Sequence, residues 1–348
     1  MELVSDKKRN IAFDIFKLIL AFFVVLIHCG PFVKVDFMFC ALKIAVPGFL
    51  IMSGFLFYKD GVYSDEDMAK RAFKFFLTSF KYMFVAFVAT MLLEIIVMGF
   101  IVHRSVADMF ATWFSGDLLA NFVVYSTPLF GKYTYHLWYL IAVTFAYLAI
   151  YLAYKLHIGR VVKFLPLIFI VFFFLTNWLK YFPGQEGNIT GFKTRNAWLL
   201  ALPGITLGFD LAHLKRFKFH FGITLSIGLL GIAFFCLQYV EGKIYGGGFE
   251  TLVTSILSAS CLIVALDRAP LYGGRIYNLI VGKYMSLFVY VFHVFVFKCY
   301  VDFAYMGIND HLAIVAFFTT LGSYFVIHLF NVALKFGCNK IKSRLIRS

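Results

Sequence analysis

A lysine and a histidine stand eleven positions apart in a stretch that otherwise reads as hydrocarbon-soluble, residues 10–32, NIAFDIFKLILAFFVVLIHCGPF. Spanning a bilayer takes about 20 mostly apolar residues at about 1.5 Å rise each, so the stretch is long enough to cross one. Asn10, Asp14, Lys17 and His28 are all costly there and need a reason to be present. At about 100° per residue the step from Lys17 to His28 closes to within about 20° of whole turns, so the two share a face. Asn10, Asp14 and Ala21 fall on the same stripe, whereas Leu18, Phe22, Phe23, Val25 and Ile27 point elsewhere. A cation and, about 16 Å further along, an imidazole thus aim at one interior space. That layout suits a transmembrane reaction channel in which the imidazole moves protons.

A second polar face occurs in GKYMSLFVYVFHVFVF, where Lys283, Ser286, Tyr290 and His293 recur at steps of three, four and three. A buried histidine is more often a packing residue than a catalyst, but three inward polar groups each need a partner in the bundle. Proton relay through Tyr290 and His293 and simple packing are the two readings. Lys70, Arg71, Lys74 and Lys81 make a basic entrance to another segment. They read either as snorkelling anchors or as a site for phosphate groups. In AVPGFLIMSGFLFYKDG, Pro47, Gly48, Ser53 and Gly54 permit close packing or a kink, or let a ligand approach the backbone. His136 and Trp138 in TYHLWYL, and Arg195 and Asn196 in TRN, stand at expected outer ends of helices. There, interfacial anchoring and contact with a polar acceptor are the alternatives. Glu94, His328 and Asn331 read as structural.

The elements that must position these residues are membrane helices. The chain is 62% hydrophobic and 20% aromatic over 348 residues, with a mean hydropathy of +0.86, which excludes an ordinary soluble domain. Hydropathy predicts an all-α, polytopic transmembrane helical bundle of about ten spans, at 11–32, 41–58, 73–101, 135–156, 161–179, 197–213, 219–240, 250–267, 279–301 and 311–336. Most of the 32 lysines and arginines fall on one side when both termini are cytoplasmic, so the formal net charge of +14 reflects topology and not a nucleic-acid partner. The basic run Lys7-Lys8-Arg9 before an apolar stretch superficially resembles a signal peptide. Asp14 and Lys17 inside that stretch, with no small-residue cleavage site after it, predict that it is retained as the first helix. The six cysteines show no metal-type or redox spacing, and no metal site is expected. No polar linker or internal repeat divides the chain, so residues 1–348 are expected to form a single membrane domain.

Taken together in order, Lys17-x10-His28, VPGFLIMSGFLF, Lys70-Arg71-x-x-Lys74, HLWYL and S-x-x-x-Y-x-x-H resemble the acyltransferase 3 family of bacterial membrane acyltransferases. The resemblance runs over about residues 9–295. The absence of a Ser-Val-Glu-Glu stretch and of an esterase-like domain makes it similar to the short, stand-alone branch.

The resemblance implies an O-acetyltransferase moving an acetyl or other acyl group from cytoplasmic acetyl-CoA or another acyl-CoA to a hydroxyl of a cell-surface glycan or its precursor. Acyl-CoA would be a donor substrate, with no permanently bound cofactor. The remaining partners would be the extracytoplasmic acceptor and the lipid bilayer of the bacterial cytoplasmic membrane. Lys17 and His28 match the family's basic–histidine pair, and Arg71 and Lys74 its donor-associated basic motif. On this reading His28 is the base, with Lys17, Tyr290 and His293 in the catalytic set. Arg71, Lys74, Lys70 and Ser53 receive the donor, and His136, Trp138, Arg195, Asn196 and Asp14 the acceptor. Base catalysis of this kind supplies about 10²–10⁴ in rate. A small-solute transporter would also place charges inside a bundle, but its paired broken helices in related halves are missing. A non-catalytic binding or sensor subunit is the third reading.

Overall fold

The computed structural model describes residues 9–29, 37–58, 64–96, 107, 122–123, 126, 134–173, 196–245, 253–274, 277, 281, 284–303 and 310–345. They are almost wholly helical, and seven helices among them are long and apolar enough to cross a membrane. These are Ile11–His28, Phe37–Phe57, Asp65–Ile96, Trp138–Lys155, Ala197–Arg216, Phe221–Ile244 and Leu312–Val332, with a shorter apolar helix at Met285–Val301. The chain is a multi-pass membrane protein. Of the other expected spans, 250–267 is a helix of 16 residues, Val253–Arg268. The span expected at 161–179 is described only as far as residue 173. Most of 97–133, all of 174–195 and Lys283 lie outside the described residues.

The chain divides into two compact units, one made of Met1–Pro31 and Ala269–Ser348 and the other of Phe32–Arg268.

In the first unit, β1 (Arg9–Asn10) runs straight into α1 (Ile11–Cys29). The Asn10 Oδ1 accepts the Ala12 N–H at 3.0 Å, satisfying one of the orphan donors at a helix start. β1 pairs antiparallel with β2 (Tyr272–Gly273), and the Ile11 N–H donates to the Leu271 carbonyl at 2.6 Å. The start of α1 is therefore tied to the segment that precedes α11 (Met285–Phe303). α1 and α11 pack against each other and against α12 (Asp310–Leu345), with Phe22 edge-on to Phe317 at 4.7 Å. Leu20, Ala21 and Val25 of α1 are fully buried, while Ile15 and Ile19 face outward.

The second unit opens with α2 (Phe37–Leu42) and α3 (Ala45–Phe57). The break between them falls at Lys43, four residues before Pro47, where the proline ring would clash with a helical carbonyl. α4 (Asp65–Ile96) starts earlier than hydropathy indicates. Ser64 caps it by accepting the Asp67 N–H at 3.2 Å, and Asp65, Glu66 and Asp67 suit the positive end of the helix dipole. Lys70, Arg71 and Lys74 accordingly ride on its first turns. α5 (Trp138–Lys155) packs along α4. After the short helices α6 (Gly159–Val162) and α7 (Ile168–Phe173), a π turn at Ala197–Ala201 leads into α8 (Leu202–Ala212).

α8 lies against α3 at backbone distance. A Cβ at Gly54 would fall on the Ile205 carbonyl, and one at Gly208 on the Ile51 carbonyl, so only glycine fits at either position. α9 (Phe221–Tyr245) and α10 (Val253–Arg268) close the unit as a pair. Ser258 of α10 donates to the Gly231 carbonyl of α9 at 2.8 Å. The Glu241 carboxylate accepts the Val253 and Thr254 N–H groups at 2.8 and 2.9 Å, an anion at a helix N-terminus.

Candidate functional site

In the first unit the polar stripe of α1 forms as its spacing dictates. Asp14 is buried, and its Oδ1 accepts the Lys17 ammonium at 3.0 Å, one turn on. The Tyr277 hydroxyl donates to the other carboxylate oxygen at 3.3 Å. A lysine ammonium carries three donors, of which Asp14 takes one. Three turns on, half-buried His28 faces α11, where the His293 ring lies 5.6 Å away, centre to centre, at an interplanar angle of 33°. His293 is fully buried, and Tyr290, also buried, sits 6.3 Å from it ring to ring.

The His293 Nδ1 lies 2.8 Å from the Tyr290 carbonyl and 3.1 Å from the Val289 carbonyl. Carbonyl oxygens only accept, so Nδ1 carries the hydrogen and Nε2 is the basic nitrogen. The α11 register that expectation placed on one face thus brings the Tyr290–His293 turn to His28.

In the second unit two of the expected donor residues, Ser53 and Arg71, lie at the C-terminal end of α3. The Ser53 hydroxyl lies 2.7 Å from that of Tyr147, which also donates to the Ser53 carbonyl at 3.2 Å. The Phe57 ring packs against Phe75, Tyr147 and Phe209 at 5.2, 5.6 and 5.7 Å. The Arg71 guanidinium lies over Phe57 and Phe75, 5.5 and 5.3 Å from their ring centres. Its Nε donates to the Phe57 carbonyl and its Nη2 to the Leu56 carbonyl at 3.4 Å. A cation thus closes the negative end of α3. Lys70 pairs with Glu66 at 2.8 Å on the exposed face of α4, and Lys74 is exposed.

Further groups at this end were absent from the expected site. The Arg216 Nε donates to the Tyr58 hydroxyl at 3.1 Å, and Tyr58 packs against His213 at 4.9 Å. Lys215 lies over Phe55 at 4.2 Å, with its ammonium 3.8 Å from Asp267. The signal was present in the run HLKRFK, which sequence reasoning used only for topology.

His136 is fully buried in the single turn that leads into α5, and Trp138 is half-buried at the helix start. Asn196 is buried and caps the π turn, its Oδ1 accepting the Trp198 and Leu199 N–H groups at 2.9 and 2.8 Å. Ser126 accepts the neighbouring Ala197 N–H at 3.0 Å. Arg195 lies outside the described residues. Among the described residues no group of three or more His, Cys, Asp or Glu could hold a metal ion.

Set beside known proteins, residues 10–329 match the model of a family described as an acyltransferase domain. Neither curated proteins nor solved structures give a match.

Proposed function

The chain belongs to the acyltransferase family whose model spans nearly all of it, and from that premise we propose that it is an O-acetyltransferase of the bacterial cytoplasmic membrane. The donor is acetyl-CoA or a related acyl-CoA, and the acceptor is a hydroxyl of a cell-surface glycan or its precursor. Ten spans with both termini in the cytoplasm put a polyanionic donor on the basic side of the membrane.

The chemistry this needs is modest. The acceptor oxygen attacks the thioester carbonyl, a base removes its proton, the C–S bond breaks, and the CoA thiolate leaves and takes up a proton. His28 is the base. Lys17, deeper on the same face and with ammonium donors beyond the one that Asp14 takes, meets the pantetheine arm of the donor. Arg71, Lys74 and Lys70 meet the donor's phosphates, and Ser53 lies along its path. Arg71 at the same time keeps the end of α3 in place. His136, Trp138, Arg195, Asn196 and Asp14 form the acceptor side.

The observation that carries the reading is the placement of half-buried His28 beside a second imidazole, at the far end of the face that begins with Asp14 and Lys17. The test is release of free CoA from acetyl-CoA by purified protein in nanodiscs. Wild type is expected to turn over slowly without acceptor and faster with one. Folded His28→Ala should lose about 10²–10⁴ of the rate. Wild-type turnover that His28→Ala leaves unchanged removes His28 from the chemistry. A folded protein that neither binds nor consumes acetyl-CoA overturns the donor assignment.

A further inference from the structure

Resting on the reading of His28 as the base, we infer that His28 and His293 form a proton relay set by one fixed tautomer, in which His293 takes up at Nε2 the proton displaced from His28 and later returns it. The fixed tautomer comes from α11 itself. The carbonyls of Val289 and Tyr290 both address the His293 Nδ1, at 3.1 and 2.8 Å, and can only accept. They hold the neutral ring in one tautomer, with the hydrogen on Nδ1 and the lone pair on Nε2. A second-layer hydrogen bond that selects the tautomer of a working histidine is the common way such a ring is set. His28 is the neighbouring imidazole, its ring centre 5.6 Å from that of His293 at an interplanar angle of 33°, within reach of one bridging water.

The protons balance. As the acceptor hydroxyl attacks the thioester, its proton passes to one nitrogen of His28, and the proton on the other nitrogen of His28 moves to the His293 Nε2. His28 is then neutral again, and the positive charge sits on His293, still anchored at Nδ1. When the C–S bond breaks, the same shifts run backwards and His28 delivers a proton to the leaving sulfur. The net result is an ester and a thiol, with both rings restored. No group outside the donor and the acceptor is consumed. His293 acts through His28 and is a positioning residue, and its backbone anchor alone is the kind of self-satisfaction that any buried polar side chain on a helix shows.

Two substitutions separate relay from packing. In His293→Asn the amide nitrogen takes the place of Nδ1 and keeps the bonds to the two carbonyls, but nothing remains at Nε2. The expected result is a folded protein whose kcat for CoA release falls about 10²-fold with the KM for acetyl-CoA unchanged. His293→Gln, which carries a non-titrating group near the Nε2 position, should be as slow. Wild-type rates in His293→Asn overturn the relay and leave His28 as base untouched. His28→Ala that turns over like wild type overturns both.

A readout independent of turnover is the ¹⁵N spectrum of histidine-labelled wild type in nanodiscs, with the His293 signals assigned by their loss in His293→Asn. A hydrogen-bearing Nδ1 and a bare Nε2 are expected. A neutral ring with its hydrogen on Nε2 overturns the inference whatever the rates of the variants.

Discussion

Removing the charge of Lys17 should destabilise the protein through Asp14, whatever it does to turnover. The Asp14 residue is 6% exposed, while the Lys17 side chain is 27% exposed and 3.0 Å from it. Stripping one partner from a fully buried ion pair costs about 3–5 kcal/mol, because a bare charge is left inside, whereas a fully exposed pair is worth about 0–1 kcal/mol. A carboxylate that is buried and an ammonium that is a quarter exposed put Lys17→Met between these limits. The Tyr277 hydroxyl, still donating at 3.3 Å, softens the loss. About 2 kcal/mol is the expected cost, or about a thirty-fold change in the folded-to-unfolded ratio. Adding Asp14→Asn removes the stranded charge and keeps an acceptor for Tyr277, so the double variant should regain all but about 1 kcal/mol.

Denaturant unfolding in mixed micelles, run as a four-protein cycle, measures the coupling, and CoA release on the same samples measures function. Stability restored without activity shows that the ion pair holds α1 in place and that the ammonium also acts on substrate. A Lys17→Met protein as stable as wild type, or a double variant as unstable as the single one, refutes the reasoning about the pair.

The remaining predictions concern the second unit. Gly208→Ala drives a methyl group into the Ile51 carbonyl and should cost about 1–3 kcal/mol in unfolding experiments, whereas Gly222→Ala, with nothing within 4 Å, should be neutral or stabilising. Arg71→Ala should both raise the KM for acetyl-CoA and lower stability by about 1–3 kcal/mol, because two carbonyls at the end of α3 lose their donor. Lys74→Ala, on an exposed side chain, should raise KM alone, and donor titrations beside thermal unfolding distinguish the two effects.

The sequence carried the helices and one face of each far better than it carried the partners. The α1 stripe was legible because a period of 3.6 residues acts within one segment, and the same arithmetic placed Tyr290 beside His293. The His28–His293 pair was not legible, since it joins segments from opposite ends of the chain and nothing local encodes which helices become neighbours. Hydropathy put the start of the third span at 73, whereas α4 begins at Asp65. Transfer free energy marks where hydrocarbon begins, but the helix is set by the Ser64 cap and the acidic first turn that follows. Tyr147 was hidden in WYLIAVTFAYLAIYLAYK, where another tyrosine carries no signal. Asn196 was readable as a helix cap, an Asn directly before an apolar helical run, and sequence reasoning had weighed it instead for an acceptor.

The way polar atoms are satisfied separates scaffold from chemistry. Every buried polar group in a membrane bundle needs a partner, and the least demanding one is the helix's own backbone. Thr90, Thr144, Thr206 and Thr320 all donate to carbonyls four residues back at 2.6–3.0 Å, so their burial calls for no ligand and no neighbouring helix. Ser64, Asn10 and Asn196 likewise serve local caps. Among the described residues, groups that bond or pack outside their own turn include Asp14 with Tyr277, Ser53 with Tyr147, Arg71 with the end of α3, and His28 against His293. Such arrangements are hard to keep without a use, since an apolar pair of the same shape would pack at least as well. His293 belongs to both classes, anchored at Nδ1 like the threonines and packed beside the His28 ring of another helix. That combination of fixed tautomer and foreign neighbour distinguishes it from a histidine that merely fills space.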